Sequence, residues 1–288
     1  MLALGPPASS VSPLLECRRM FERLQWSDDR VVLDDITFML EGRAREGAKD
    51  ALWLHKDRGL LDEYERLFAD YPALHVRNML ELGIWKGGSV ALWMELLQPA
   101  KYVALDLRKR EDAPAFSRYV EAHGRGDRLR TYWGTDQADG PRLLEIVATE
   151  FDGPLDFVID DASHAYQPTR ASFETLFPLL AEGGLYVIED WPWKFAAEFQ
   201  ADFPASEPGL LPLVPDLAIL LIGVPGLVRR LEVRTPFIVV QRGPAGEEAA
   251  RDGIAALWHK EASPQRADPW LPLRRVKRSV ARAVRGRQ

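Results

Sequence analysis

The chain has little of several features that mark particular protein classes. Its 288 residues include a single cysteine, Cys17. One cysteine excludes a disulfide framework and any zinc or iron–sulfur site built on cysteines, and it is compatible with a reducing compartment. Residues 1–13 lack a basic segment followed by an apolar one, so we expect no signal peptide and a cytoplasmic location.

The sequence also lacks a long apolar run without interruption. Residues 209–228 are about long enough to span a membrane, but they contain Pro212, Pro215, Pro225 and Asp216. An aspartate near the centre of a span costs on the order of 2.5–3.5 kcal/mol on insertion scales. We therefore predict a buried helix and loop in this stretch.

Basic residues are scarce outside the last part of the chain. Residues 274–288 hold seven basic residues and no acid, and the remainder holds 30 basic and 43 acidic residues. An acidic body argues against nucleic acid as a partner, because phosphate binding needs a basic surface. Val276, Val280 and Val284 recur at helical spacing, which predicts a basic amphipathic tail. Such a tail either contacts an anionic membrane peripherally, at its inner face, or docks on the acidic body.

Five short apolar runs recur at nearly even spacing, separated by segments with helical character. Continuous apolar runs are typical of strands buried on both faces, and strand–helix–strand repetition predicts a doubly wound parallel sheet of the α/β class. The predicted strands are 79–82, 102–107, 129–133, 156–159 and 185–188, and the predicted helices are 88–98, 113–123, 141–150 and 167–181.

Two further apolar runs, 227–233 and 237–241, are too close together for a crossover helix and predict a terminal antiparallel hairpin. The predicted sheet is thus seven-stranded and mostly parallel. Upstream of residue 76 the pattern predicts helices only, including an amphipathic run at 60–68. We divide the chain into an N-terminal helical cap, lid or dimerisation segment (1–75), a core (76–242) and a C-terminal extension with the basic tail (243–288).

Ligands of open parallel sheets bind beyond the carboxyl ends of the strands. The first strand leads into a glycine loop, Glu81–Ser89, whose spacing is not G-x-G-x-x-G. Asp106 ends the second strand, 23 residues after Gly83, where an acid either accepts ribose hydroxyls or caps a helix. Asp136 and Gln137 follow the third strand and either reach an adenine amino group or form an ordinary turn.

The fourth and fifth strands end in acids. Asp160 and Asp161 precede His164 by a short turn, and Glu189 and Asp190 follow the next strand. Four carboxylates at adjacent strand ends predict a bound cation, because unpaired they repel one another. Oxygen donors favour Mg²⁺, with Mn²⁺ or Ca²⁺ as alternatives, and disfavour zinc. The competing interpretation is that the aspartates cap helices and that the histidine has a structural role.

Five segments together carry a family resemblance: LELGIWKGGS, ALDL, GTDQAD, FVIDDASH and LLAEGGLYVIEDW. They resemble the class I S-adenosylmethionine-dependent methyltransferases, with their Rossmann-like sheet. In particular they resemble the metal-dependent O-methyltransferases that modify macrolide sugars, a group that includes cephalosporin-hydroxylase-like proteins. The resemblance covers about residues 76–242. The macrolide enzymes carry a longer N-terminal region than this chain, and residues 52–68 resemble theirs only loosely.

The resemblance implies a role for each matching residue. Asp161, Glu189 and Asp190 would bind Mg²⁺, and His164 would be the general base. Trp191 and Trp193 either stack on the acceptor or only pack. The positions implied to bind S-adenosylmethionine are Glu81, Gly83, Ser89, Asp106, Asp136, Gln137 and Asp160.

The function implied is Mg²⁺-dependent transfer of a methyl group to a hydroxyl of a sugar, a glycosylated natural product or a glycan. We expect a small-molecule or glycan acceptor and a homo-oligomer. Two alternatives stay open at this point. One is an S-adenosylmethionine-binding protein that does not methylate and supports a partner; the other, disfavoured by the missing G-x-G-x-x-G, is a nicotinamide-dependent oxidoreductase.

Overall fold

The computed structural model describes residues 19–40, 51–109, 114–195 and 206–259, which form two sheets and the helices packed on them. The strands are β1 (Leu24–Trp26), β2 (Arg30–Leu33), β3 (Ile36–Leu40), β4 (Leu52–Leu54), β5 (Asn78–Leu82), β6 (Lys101–Asp106), β7 (Leu129–Trp133), β8 (Leu155–Asp160), β9 (Leu180–Glu189), β10 (Val228–Val233) and β11 (Phe237–Arg242). The helices are α1 (Arg58–Asp70), α2 (Gly88–Leu97), α3 (Pro114–Ala122), α4 (Gly140–Glu150), α5 (Tyr166–Leu176), α6 (Leu213–Gly223) and α7 (Glu247–Trp258).

The larger sheet has seven strands in the order β10-β11-β9-β8-β5-β6-β7. Its central strands are parallel, and β11 and β10 add an antiparallel hairpin at one edge. The predicted seven-stranded α/β sheet is confirmed. In the register, Leu82 lies beside both Leu105 and Asp160, so the central strands end at one level. The residues that leave these strands therefore converge at one edge.

One predicted helix extends too far. The pattern predicts a helix over 167–181, whereas α5 ends at Leu176 and β9 already begins at Leu180. Pro178 explains the difference, because proline lacks the N–H that a helix interior needs and clashes with the preceding turn. The chain instead makes a short 3-10 turn at Phe177–Leu179 before it enters the sheet.

The expectation of helices only upstream of residue 76 is wrong for the described part of that region. The amphipathic run at 60–68 does lie in α1, but β1 to β4 form a separate four-stranded sheet. Strands of three to five residues are too short for a clear alternation of apolar and polar side chains. The hairpin signal is Asp34-Asp35 between β2 and β3, where Asp34 takes the left-handed conformation of a tight two-residue turn.

Two apolar cores cover the two faces of the larger sheet. Alternate residues along a strand serve opposite faces, so Met79 belongs to one core and Leu80 to the other. The first core also contains Phe38 of the small sheet and Tyr64 of α1. The N-terminal region thus shares a core with the larger sheet, and Leu54 at the end of β4 belongs to that core.

Residues 209–228 contain the eleven-residue helix α6, as the interrupted pattern predicts, but this helix is buried on one face only. Leu213, Leu217 and Leu220 are buried, whereas Ile222 is 73% exposed. No helix in the described ranges combines the length and the apolar character of a bilayer-spanning segment. The basic tail, residues 274–288, lies outside the described residues, as does Cys17.

Candidate active site

A cavity of about 640 Å³ opens at the edge where the central strands end. Every strand exit singled out from the sequence contributes to its wall, and the segment after β4 closes one side. The residues that line it include Trp53, His55, Lys56, Gly83, Trp85, Ser89, Asp106, Leu107, Asp136, Gln137, Asp161, His164, Glu189, Asp190 and Trp193.

The glycine loop is shaped by its contacts with the neighbouring strands. Gly83 has a φ of +93°, and a Cβ there would lie 2.0 Å from the backbone oxygen of Asp161. Only glycine tolerates both constraints. The Asp106 carboxylate accepts the backbone N–H of Ile84 (2.7 Å) and of Trp85 (2.6 Å). Asp106 therefore holds the loop in place while it lines the cavity.

The predicted cofactor residues fall into two groups. Gly83, Ser89, Asp106, Asp136 and Gln137 line the cavity. The Gln137 amide is already engaged, since its Nε2 donates to Asp160 (3.1 Å) and its Oε1 accepts the N–H of Ser163 (2.9 Å). It thereby ties the third strand exit to the fourth.

Two of the predicted cofactor residues, Glu81 and Asp160, do not line the cavity. Asp160 accepts hydrogen bonds from Ser172 of α5 (2.6 Å) and from Tyr186 (3.0 Å), which belongs to the same core as Leu80. Glu81 is fully buried beneath the loop, where Tyr102 donates to it and its Oε1 has no hydrogen-bond partner. Burial raises the pKa of each carboxyl group to about 7. Their part in cofactor binding stays a prediction.

Asp161, His164 and Asp190 form a compact group at the cavity. One potential ligand atom from each lies within 4.8 Å of the others, and His164 Nε2 is 3.8 Å from Asp161 Oδ1. Burial, together with the charges of Asp161 and Glu189, raises the pKa of Asp190 to about 8. A divalent cation among these atoms would relieve that accumulation of negative charge.

The backbone at this group is strained. His164 and Asp190 have φ values of +50° and +55°, and Trp85 of the glycine loop has +49°. The left-handed conformation costs a residue with a Cβ roughly 1–2 kcal/mol. Such strain persists where the surrounding structure enforces it, which is common at functional sites.

The sequence reasoning missed Lys56. Its side chain is 1% exposed, and its ammonium nitrogen lies 2.6 Å from Glu189 Oε2 and 2.9 Å from Asp161 Oδ2. Tyr64 donates a further hydrogen bond to Glu189 (2.6 Å), so this carboxylate is engaged on both oxygens. Burial alone would lower the pKa of Lys56, but the charges of Asp161 and Glu189 outweigh it and raise that pKa above its ordinary value.

Aromatic rings surround the acidic group. The Trp193 ring lies 4.5 Å from the His164 ring, and His55 lies 4.1 Å from Trp85 between ring centroids. Trp191 instead donates to the backbone oxygen of Arg234 (2.7 Å) and packs on the second core. Burial lowers the pKa of His164 to about 4, which keeps its ring neutral at neutral pH.

Comparison with protein families matches residues 80–191 to the family described as a methyltransferase domain. This segment is a methyltransferase domain. It contains the glycine loop and all the acids of the cavity edge, and the predicted resemblance to this class of enzyme is confirmed.

Curated relatives of the methyltransferase domain are known by their reactions. Demethylmacrocin O-methyltransferase of Streptomyces fradiae is 36% identical over 153 residues, which cover 51% of this chain and 34% of that protein. Mycinamicin VI 2''-O-methyltransferase of Micromonospora griseorubida is 37% identical over 141 residues, covering 45% and 32%. The chain thus spans about a third of the length of these relatives.

Among solved structures, the chain is similar to the MycE methyltransferase of the mycinamycin biosynthetic pathway in complex with Mg, SAH and mycinamycin VI. The two chains are 31% identical, with a TM-score of 0.49, and the match covers 63% of this chain and 49% of that one.

Proposed function

We propose that the protein is a Mg²⁺-dependent O-methyltransferase that moves the methyl group of S-adenosylmethionine to a hydroxyl of a sugar or glycosylated small molecule. One observation carries this proposal. The glycine loop with Asp106 and the group of Asp161, His164 and Asp190 line the same cavity. A methyl donor on the loop and an acceptor on the acidic group would therefore meet.

The donor atoms of the site fit a hard divalent cation. Carboxylate oxygens of Asp161 and Asp190 come within 4.8 Å of each other, on residues whose strand ends are fixed by sheet register. Mg²⁺ is commonly held by one or two carboxylates while it keeps waters or substrate oxygens. Asp161 and Asp190 would hold the ion, and Glu189 is engaged by Lys56 and Tyr64.

S-adenosylmethionine would supply an electrophilic methyl group, and the cation would stabilise negative charge on the acceptor oxygen. The protein's own residues orient the acceptor and take its proton. His164 lies beside the acidic group with a neutral ring, so a ring nitrogen can accept a hydroxyl proton. The glycine loop would hold the donor.

The acceptor class is supported by the walls and by the relatives. The indole rings of Trp193 and Trp53 line the cavity, and aromatic rings of this kind suit contact with the C–H groups of a sugar ring. By name, the relatives given above are an O-methyltransferase of demethylmacrocin and a 2''-O-methyltransferase of mycinamicin VI, and this chain would act on a hydroxylated glycoside.

The test is release of S-adenosylhomocysteine from S-adenosylmethionine in the presence of a panel of hydroxylated glycosides, with Mg²⁺ or with EDTA. We expect release with Mg²⁺, none with EDTA, and recovery when Mg²⁺ is restored. Activity that survives exhaustive chelation would contradict the role of the metal. Tight binding of NAD without binding of S-adenosylmethionine would contradict the methyltransferase assignment itself.

We also propose that the chain forms a homo-oligomer. The exposed face of α6 carries Ile219 and Ile222, which are neighbours at i and i+3 on the helix and are 39% and 73% exposed. Apolar side chains grouped on a surface favour burial against another molecule. Light scattering coupled to gel filtration measures the mass in solution; a monomer at all concentrations would contradict this proposal.

A further inference from the structure

We propose that Lys56 is a tethered cation that competes with the divalent ion for the acidic cluster and so weakens the binding of that ion. The inference rests on the proposed function, because it concerns the cation site of that function. Lys56 would act through the carboxylates of Asp161 and Glu189, which its ammonium contacts.

The ammonium of Lys56 lies close enough to the acidic cluster to repel a divalent ion bound there. Its Nζ lies 2.9 Å from Asp161 Oδ2, while the other oxygen of Asp161 faces His164 in the group that could hold a metal. The same ammonium contacts both oxygens of Glu189, at 2.6 and 2.7 Å. A divalent ion bound through Asp161 thus shares a carboxylate with a buried positive charge.

The position of Lys56 is fixed by the elements on either side of it. In β4, the backbone oxygen of Trp53 packs so tightly on α2 that a Cβ at Gly88 would lie 1.8 Å from it. On the other side, Asp57 caps α1 by accepting the N–H of Leu60 at 2.8 Å. With the backbone anchored on both sides and the side chain of Lys56 only 1% exposed, the ammonium has little room to withdraw when an ion arrives.

Two consequences follow from this arrangement. Without a divalent ion, Lys56 compensates the carboxylates of Asp161 and Glu189, so the cluster exists in the folded protein without metal. When an ion binds, Lys56 repels it, because like charges a few ångströms apart in a buried site interact strongly. Removal of the ammonium should therefore tighten ion binding, a change that a merely structural lysine would not produce.

The decisive comparison is Mn²⁺ binding by calorimetry, without cofactor, to Glu189→Gln and to Lys56→Met/Glu189→Gln. These two proteins differ only at Lys56, so the result does not depend on whether Glu189 ligates the ion. We expect the double variant to bind Mn²⁺ at least about tenfold more tightly. Equal or weaker binding by the double variant would overturn the inference.

Glu189→Gln leaves a buried ammonium with one partner fewer, so a second comparison retains Glu189. Lys56→Met should bind Mn²⁺ at least about tenfold more tightly than Lys56→Arg, which keeps the charge. Lys101→Met is the matched control, because it breaks a Lys101–Glu150 pair (2.7 Å) elsewhere in the sheet and should leave Mn²⁺ affinity unchanged. Equal affinities of the Met and Arg variants would overturn the inference.

The wild-type titration separates failure of this inference from failure of the proposed function. Wild-type protein that binds Mn²⁺, with no gain on loss of Lys56, refutes the inference alone. Wild-type protein that binds no Mn²⁺ refutes the cation site and this inference with it.

Discussion

Two acids that are neighbours in sequence take different places in the structure. Asp160 and Asp161 are adjacent, yet Asp160 bonds to Ser172 and Tyr186 while Asp161 faces the cavity. Successive side chains at a strand end point to opposite faces of the sheet, which explains the separation. The chemistry of the site thus depends on which of two adjacent acids faces the ligand.

His164→Ala should separate base from ligand. We expect the variant to lose kcat by on the order of 10²–10⁴, because general base catalysis contributes about that much. Mn²⁺ and S-adenosylhomocysteine should bind it as they bind the wild type, measured by calorimetry. A variant that loses Mn²⁺ affinity instead would show that His164 is a ligand of the ion.

Glu81→Gln should change how stability depends on pH. Burial raises the pKa of Glu81 from 4.5 to about 7, so the folded state holds its proton more tightly than the unfolded state does. The contribution of the Glu81 carboxyl group to the free energy of unfolding is fully present below about pH 4.5 and is lost as pH rises through about 7.

Chemical denaturation of both proteins measures the effect. At about pH 8 the variant should be more stable by up to about 3 kcal/mol, and the difference should vanish near pH 4.5. A difference that does not change with pH would contradict the raised pKa.

At the scale of elements, the small N-terminal sheet completes the cavity. Strand β4 brings Trp53 to its wall, and His55 and Lys56 follow directly. The contact that seats this strand is the backbone oxygen of Trp53 against Gly88 at the start of α2. The glycine loop and the N-terminal sheet are therefore linked by a direct packing contact.

Gly88→Ala should disturb both elements. A Cβ 1.8 Å from the Trp53 oxygen forces β4 away from α2, and overpacking of this kind costs about 1–3 kcal/mol. We expect a lower midpoint of thermal unfolding and weaker binding of S-adenosylhomocysteine. Gly126→Ala is the control, since a Cβ there has no neighbour within 4 Å. Equal destabilisation by both changes would argue against the linkage.

The sequence predicts the sheet and the converging strand exits because buried parallel strands produce continuous apolar runs at even spacing. It does not predict which way Glu81 and Asp160 point, since that depends on strand register across the sheet. Lys56 was missed because β4 has only three residues and its partner acids are more than a hundred positions away. The one local signal was a lysine next to a helix-capping aspartate, Asp57.

On the scale of the whole molecule, charge is divided unevenly along the chain. Seven basic residues lie at 274–288, outside the described residues, while the remainder has 13 more acids than bases. We propose that this tail contacts anionic membranes, where each basic residue near the surface contributes about 1 kcal/mol. Co-sedimentation with phosphatidylserine vesicles should capture the full chain and lose the chain truncated after residue 273. Equal partitioning of both proteins would rule out the proposal.

The proposed function requires that methyl donor and metal share one cavity of the folded chain. The most direct measurement is paramagnetic relaxation of bound S-adenosylhomocysteine protons by Mn²⁺ in nuclear magnetic resonance. We expect strong broadening of the cofactor signals in the wild type, and its loss in Asp161→Asn/Asp190→Asn, which lacks the carboxylate ligands but keeps the loop. Bound cofactor whose protons are unaffected by bound Mn²⁺ would contradict this requirement.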